Sequence, residues 1–372
     1  MSSFSLSPTM LSSITNEILF EILIRLPVNT LLKLRCVSRH FSTLIATSSF
    51  ISTYSRHVIS SSPSFLLRHY TWHQRAEVYS ILDPPSFSFV PCRFSLNIRS
   101  YSQFFEIVGC FNGVLCLSDT NRINAHTITL WNPAVGKSIT LPKPNILLEN
   151  VYVFVHGFMF DVKSIRFKVL RVVYPVRNPD SLEVELYEEG ESTWRLIEVS
   201  SPPRHIICEL SLQAYTNRGI HWIGYRGEDF KGLSVVIFDV EREYFREMKV
   251  PKSVKKISAL DVSVQLGYGE MLTLVQYDPY NRSLWVPYGG YRVWVMGEYG
   301  NADTWNVRWR LEIDGGINRM LGFGELGEMI VVDGDGELMA YNARAIEGRR
   351  LGIKAVPNSF YLCRFNETLA LL

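Results

Sequence analysis

The sequence predicts an α+β chain of two unequal parts. Residues 10–55 read as a small unit of three helices, and residues 60–372 as an all-β domain built as a propeller of about six blades. Three observations carry this. Apolar residues recur at helical spacing only before residue 60. From about Phe65 the chain becomes short runs of Val, Ile, Leu, Phe, Tyr and Trp broken by Gly, Asn, Asp and Pro, and the pattern of runs repeats about every 50 residues.

In the first part, Ile14, Ile18, Ile22 and Leu26 recur every four positions, with Leu19 and Leu23 beside them and Glu17, Glu21 and Arg25 on other faces, which predicts an amphipathic helix. Thr15 or Ser13 caps its first turn, and Pro27 ends it because proline disfavours helical geometry in the residue before it. A second helix is expected over Thr30–Val37 with Thr30 as cap, and a third from Ser38 to about Thr47. So small a unit cannot bury all of its leucines and isoleucines, so one apolar face is expected to meet a partner. The polar, proline-containing stretch Ser60-Ser-Ser-Pro63 marks the junction.

In the second part, five segments share a strand–turn–strand design with aromatic markers at Trp131, Tyr187, Phe238, Trp294 and Tyr341. The markers are 56, 51, 56 and 47 residues apart, the period of kelch-like blades. Other strand pairs precede them, as at Gly109–Leu117 and Gly219–Ile223, which gives four strands per blade. Phe65–Val90 offers strands for a sixth blade that Phe360–Leu372 would complete, and a ring closed by both ends of the chain has no exposed sheet edge. The competing architecture is an irregular β-sandwich.

Composition excludes several classes of function. With 38 Lys and Arg against 36 Asp and Glu, the net charge of +2 is far from the basic excess of a nucleic-acid binder, and the run Lys252–Lys256 reads as a solvated loop. No stretch is long and apolar enough for a transmembrane helix, and Met1–Thr9 lacks the basic and apolar regions of a secretion signal. A soluble, unsecreted protein of the cytoplasm, the nucleus or both is expected. Its six cysteines show no CxxC spacing, so neither a disulfide framework nor a zinc site is expected.

No catalytic, metal or cofactor site is expected either. Gly322-Phe-Gly-Glu-Leu-Gly327 spells GxGxxG, but the strand-like Met329-Ile-Val-Val332 that follows makes it a hairpin. Asp333-Gly-Asp-Gly-Glu337 lacks the loop of an EF-hand and reads as a hairpin turn. His69 and His73 would lie roughly 13 Å apart on an extended strand, too far for one metal ion. Cys208 and His205 lack a third group to orient them as nucleophile and base. The turns His205–Glu209, Tyr225–Lys231 and Tyr277–Tyr291, rich in polar and aromatic residues, are instead candidate contact surfaces, with Tyr225, Arg226, Tyr280 and Tyr288 as contact residues.

Leu26-Pro-Val-Asn-Thr-Leu-Leu-Lys-Leu-Arg-Cys-Val-Ser38 resembles the core of a plant F-box. Asn112-Gly-Val-Leu-Cys-Leu117, Leu130-Trp-Asn-Pro133, Phe238-Asp-Val-Glu-Arg-Glu-Tyr-Phe-Arg-Glu247 and Val293-Trp-Val-Met-Gly-Glu-Tyr-Gly300 resemble the F-box-associated interaction domain that follows it. The ending Glu367-Thr-Leu-Ala-Leu-Leu372 is similar to that of the pollen S-locus F-box group, and related plant proteins regulate defence. The resemblance implies a non-catalytic substrate receptor of a ubiquitin ligase. The F-box would pack on a Skp-type adaptor that links it to cullin and RING subunits, and the β-domain would select a target protein for ubiquitination.

By matching positions, the resemblance assigns Ile14, Ile18, Ile22, Leu26, Pro27, Leu31, Leu34, Val37 and Phe41 to the F-box or its adaptor face, with Arg35 and Arg39 at the edge. Two positions depart from the family pattern: Thr15 stands in place of Pro, and Phe41 in place of Trp. Thr can cap where Pro would preorganise the turn, and Phe keeps most of the apolar area but loses an N–H donor. Two rival readings remain. An adaptor-free or lectin-like binding module would fail to bind a Skp-type adaptor, and an enzyme on a propeller scaffold would need inward carboxylates at catalytic separation.

Overall fold

The computed structural model describes residues 15–59, 64–71, 73, 75–84, 86–91, 94, 96, 98–100, 104–119, 127–146, 151–161, 163–176, 181–278, 288–324, 326–342 and 347–372. Among these, the N-terminal unit has four helices: α1 (Asn16–Leu23), α2 (Val28–Val37), α3 (Arg39–Ile45) and α4 (Ser48–Ile59). Thr15 caps α1 as expected, its Oγ1 accepting from the Ile18 N–H at 3.5 Å. Thr30 is not the cap of α2. The helix begins two residues earlier, on the extended backbone of Pro27, and the Thr30 N–H donates to the Pro27 carbonyl at 2.9 Å. Ser38, extended, separates α2 from α3.

The sequence reading lacked α4. Its Ser- and Thr-rich, β-branched composition has low helix propensity, and tertiary packing makes up for it. Phe50 and Tyr54, one turn apart, are buried against Leu23, Val28, Leu31 and Ile45, and the Tyr54 hydroxyl donates to the Leu26 carbonyl at 3.0 Å.

The rest of the chain is a six-bladed propeller. β1 (Ser64–Thr71), β2 (Ala76–Asp83) and β3 (Ser88–Pro91) belong to the first blade. The second is β4 (Glu106–Phe111), β5 (Val114–Ser118), β6 (Ile128–Asn132) and β7 (Lys137–Thr140). The third is β8 (Val151–Asp161), β9 (Arg166–Pro175), β10 (Glu183–Glu188) and β11 (Arg195–Ile197). In the fourth the inner strand is split into β12 (Ile206–Ile207) and β13 (Ala214–Thr216). Both pieces pair with β14 (Gly219–Arg226), and β15 (Lys231–Asp239) and β16 (Tyr244–Lys249) complete the blade.

The fifth and sixth blades share a sheet. It runs through β17 (Val262–Leu266), β18 (Leu272–Asp278), β19 (Tyr288–Met296), β20 (Trp305–Phe323), β21 (Met329–Asp333), β22 (Glu337–Asn342) and β23 (Glu347–Lys354). The 19-residue β20 passes from the outer edge of one blade to the inner edge of the next. β24 (Tyr361–Phe365) then pairs with β1, Cys363 opposite Leu66, and closes the ring.

Trp131, Tyr187, Phe238, Trp294 and Tyr341 all lie on the third strand of their blades, so the period read from the sequence is the blade repeat. Strands β5, β6 and β21 are buried at every position, because each blade is covered on both faces by its neighbours. The GxGxxG run ends in the β20–β21 hairpin, where the Gly324 N–H donates to the Glu328 carbonyl at 2.7 Å. Asp333 shapes the β21–β22 turn, its Oδ1 accepting from the N–H of Asp335 and of Glu337 at 2.9 and 2.8 Å.

The helices sit at one end of the ring. Leu369 is buried in the helical core, and Leu372, Ala134 and Val135 pack on it. The tail after β24 is pinned from below: the Asn132 side-chain amide donates to the carbonyls of Thr368 and Ala370 at 3.1 and 2.8 Å, and the Thr368 hydroxyl donates to the Asn112 carbonyl at 2.6 Å. Gly113, at φ +72°, is required here, since a Cβ would stand 2.6 Å from the Asn366 carbonyl oxygen.

Two buried imidazoles make the fold acid-sensitive. His221 Nδ1 faces the Ala214 carbonyl at 3.1 Å and Nε2 faces the Tyr299 hydroxyl at 2.6 Å, while His69 stacks on Phe360 with ring centroids 5.8 Å apart. Burial lowers both from 6.5 to about 4. The unfolded chain therefore takes up these protons first. We expect the stability they contribute to be complete above about pH 6.5 and to be lost as the pH falls toward about 4, which the difference in urea midpoints between the parent and a His69→Gln, His221→Gln variant across that interval would measure.

Candidate functional site

Two surfaces at opposite ends of the propeller are candidates, one on the helices and one where the blades' inner strands begin. On the helices, α1 turns Leu19 and Leu23 inward, while Ile18 and Ile22 are 54% and 49% exposed. On α2, Val37 is 80% exposed. Arg39 and Pro27 are also exposed, and Leu26, Leu34, Arg35 and Phe41 are partly buried. Leu31 is fully buried in the helical core, so it holds the helices together rather than offering itself to a partner. Ile14 lies outside the described residues. The outward isoleucines and valine are the uncovered apolar surface expected of so small a unit.

The far end follows from strand direction. The turn after β6 and the tail after β24 touch the helices, so inner and third strands run toward the helices, and the loops that enter blades or join second to third strands lie away from them. Two candidate turns, His205–Glu209 and Tyr225–Lys231, are of the second kind; of Tyr277–Tyr291, residues 279–287 lie outside the described residues. Tyr225, however, is only 4% exposed and packs on Phe230, ring centroids 4.6 Å apart, so its side chain belongs to the core and not to a contact surface. Arg226 is exposed and donates from Nε to the Arg204 carbonyl at 3.2 Å. Tyr280 lies outside the described residues, as does the side chain of Tyr288.

His205 accounts for its own turn differently from a catalytic base: its ring Nδ1 lies 2.8 Å from Glu247 Oε1, and its backbone N–H donates to the same oxygen at 2.9 Å. Burial pushes the Cys208 thiol up, which makes it a poor nucleophile. His69 is in β1 and His73 in the turn beyond it, and among the described residues no three His, Cys, Asp or Glu side chains are grouped to hold a metal.

The break between β12 and β13 creates a feature that the sequence reading missed. Residues 209–213 leave the inner edge of the fourth blade and form a bulge facing β4 and β8, held by Gln213, whose side-chain amide copies a strand. Its Nε2 donates to the Phe158 carbonyl at 2.7 Å and its Oε1 accepts from the Phe158 N–H at 2.8 Å. Gly109 makes room, since a Cβ there would meet Gln213 Nε2 at 2.7 Å.

Between this bulge and the first halves of β4 and β8 lies a cavity of about 230 Å³ whose walls include Glu106, Phe154, His156, Glu209 and Leu210. Burial, reinforced by the Glu209 charge and opposed by Arg68, raises the Glu106 carboxyl to about 7. Arg68 itself is held elsewhere, donating to the Phe105 carbonyl at 2.9 Å above the Phe104 ring.

Comparison with known proteins adds the following. Residues 66–311 match the family described as F-box associated beta propeller domain, and residues 11–53 match the F-box domain. The chain is 24% identical to F-box protein At3g07870 of Arabidopsis thaliana over 97% of this chain and 92% of that protein. It is 26% identical to probable F-box protein At5g47300 of the same plant, over 81% and 68% of the two chains. F-box protein CPR1, also from Arabidopsis thaliana, is 23% identical over 79% and 72%.

Proposed function

The chain belongs to the F-box-associated β-propeller family, and from that premise we propose that it is the substrate-recognition subunit of a Skp–cullin–F-box ubiquitin ligase. In this role it is a non-catalytic receptor of the cytoplasm, the nucleus or both. The helices bind a Skp-type adaptor and, through it, cullin and RING subunits. The propeller binds a target protein and holds it for ubiquitination.

The observation that carries this reading is the outward apolar triplet Ile18, Ile22 and Val37 on helices whose inner faces are already filled. Such side chains gain stability only by covering one another's kind on a partner, at roughly 25 cal/mol per Å² of apolar surface buried. The separation of the helices from the far-end loops supports the second half, because adaptor and target then occupy opposite ends without collision.

A double variant, Ile18→Asp with Ile22→Asp, tests the docking face without emptying the helical core. It should fold normally and bind the adaptor at least about tenfold more weakly, as loss of interface anchors does. Adaptor capture at full strength by this variant, and by a chain lacking residues 1–59, would show that docking occurs elsewhere. Failure of the unaltered chain to bind any Skp-type adaptor would favour an adaptor-free binding module.

A further inference from the structure

The geometry points to the cavity beneath the 209–213 bulge as a socket for a lysine or arginine side chain of the target protein, an inference that rests on the receptor reading. The volume is the first reason. About 230 Å³ is below the roughly 300–1,000 Å³ of sites that enclose small molecules, but it accommodates one long side chain entering from a protein surface.

The lining is the second reason. Glu106 on β4 and Glu209 on the bulge both face the cavity, and among the described residues neither carboxylate has an ion-pair partner. The Glu209 charge works against ionisation of Glu106, and Arg68 partly offsets it. A cation placed between the two carboxylates is attracted by both and restores the charge balance that burial has upset. Two carboxylates with one imidazole do not make the convergent set of a metal site, which leaves an organic cation as the occupant.

The walls are the third reason. Phe154 and Leu212 present apolar surface to the cavity, and Leu210 beside them is 71% exposed. A lysine or arginine has the matching build, a methylene stem that lies along apolar surface and a charged head that seeks carboxylates. The cavity also opens at the end of the propeller away from the helices, where a bound target does not displace an adaptor.

The test uses the full chain and a peptide library in which one fixed position is Lys, Arg, norleucine or Glu and the flanking positions are mixtures. The unaltered protein should retain the Lys and Arg pools at least about tenfold over norleucine, the size of a hydrogen bond to a charged group, and the preference should shrink in high salt. Glu106→Gln and Glu209→Gln should each bring the pools toward parity, while Glu183→Gln, an exposed carboxylate at the start of β10 and outside the cavity, should leave the preference unchanged.

Glu106→Gln removes a desolvated charge with little change of shape, so its unfolding temperature should hold or rise. Glu209→Gln alters an exposed side chain and provides a second, independently folded variant. Equal retention of cationic and norleucine pools by the unaltered protein, or a preference that survives both Gln variants, overturns the socket. Adaptor capture is measured on the same preparations: capture without cation preference overturns the socket alone, and absence of capture overturns the receptor reading.

Discussion

Trp131→Ala is expected to cost about 3–5 kcal/mol of folding stability through lost burial and the cavity left behind. Trp131 is 1% exposed and lies in the seam between the first two blades, where its ring meets the edge of Tyr79 at 4.8 Å and shares a core with Leu66, Leu115 and Phe365. Phe365 belongs to the strand that closes the ring. Truncation therefore loosens closure as well as packing, and soluble yield should fall sharply, since a whole domain is stabilised by only about 5–15 kcal/mol. Trp294, at the same place in the fifth blade, is partly exposed and donates from Nε1 to Gln276 at 3.1 Å, so the equivalent replacement should cost clearly less. Urea unfolding of both variants checks the difference; a Trp131→Ala protein as stable as the parent would show that the seam does not depend on this ring.

The second large effect is expected at a buried ion pair in the third blade. Arg171 Nη1 and Glu185 Oε1 are 2.5 Å apart with no solvent access to either side chain, and Arg171 also donates to the Ile146 carbonyl at 2.8 Å. The other oxygen of Glu185 accepts from the backbone N–H of Asn145 at 2.9 Å and of Ile146 at 3.4 Å. The pair thus ties the segment entering the third blade to that blade's middle strands.

Glu185→Ala removes the acceptor for all of these donors and leaves a buried guanidinium uncompensated, at an expected cost of about 3–5 kcal/mol. Arg171→Met combined with Glu185→Leu removes both charges and should recover most of that loss, although the Asn145 and Ile146 amides stay without their acceptor. A double variant no more stable than Glu185→Ala would mean that the backbone bonds, and not the stranded charge, dominate.

The blade repeat was legible because third strands are sandwiched between neighbouring blades and favour large aromatic residues at a fixed interval. Tyr79, on the third strand of the first blade, escaped notice because that blade is assembled from both ends of the chain and its repeat is incomplete in the linear sequence. On the helices, periodicity distinguished faces but not which face was covered. Only α4, whose composition does not advertise a helix, shows that Leu31 is inside while Val37 is not.

The paired carboxylates of the cavity were illegible for a different reason. Glu106 and Glu209 lie about a hundred residues apart, and their approach depends on the interruption between β12 and β13, which no local pattern announces. The burial of Tyr225 depends on Phe230, which folds back from the far side of the same turn and covers it, a contact that the turn's composition does not announce.

The pairing of β24 with β1 also sets a clock on biosynthesis. Leu66 and Cys363 meet across 297 residues, so at roughly 5–20 residues per second the ribosome needs about 15–60 s to supply the partner of the first blade's inner edge. Throughout that interval β1 carries an open edge able to pair with other chains, a natural point for chaperone attendance. The helices emerge earlier still, yet their seat against Leu369 and Leu372 is made only after β24. A nascent chain that stalls before its final strand therefore has neither a closed ring nor a seated helical unit, so the two ends of the receptor mature together.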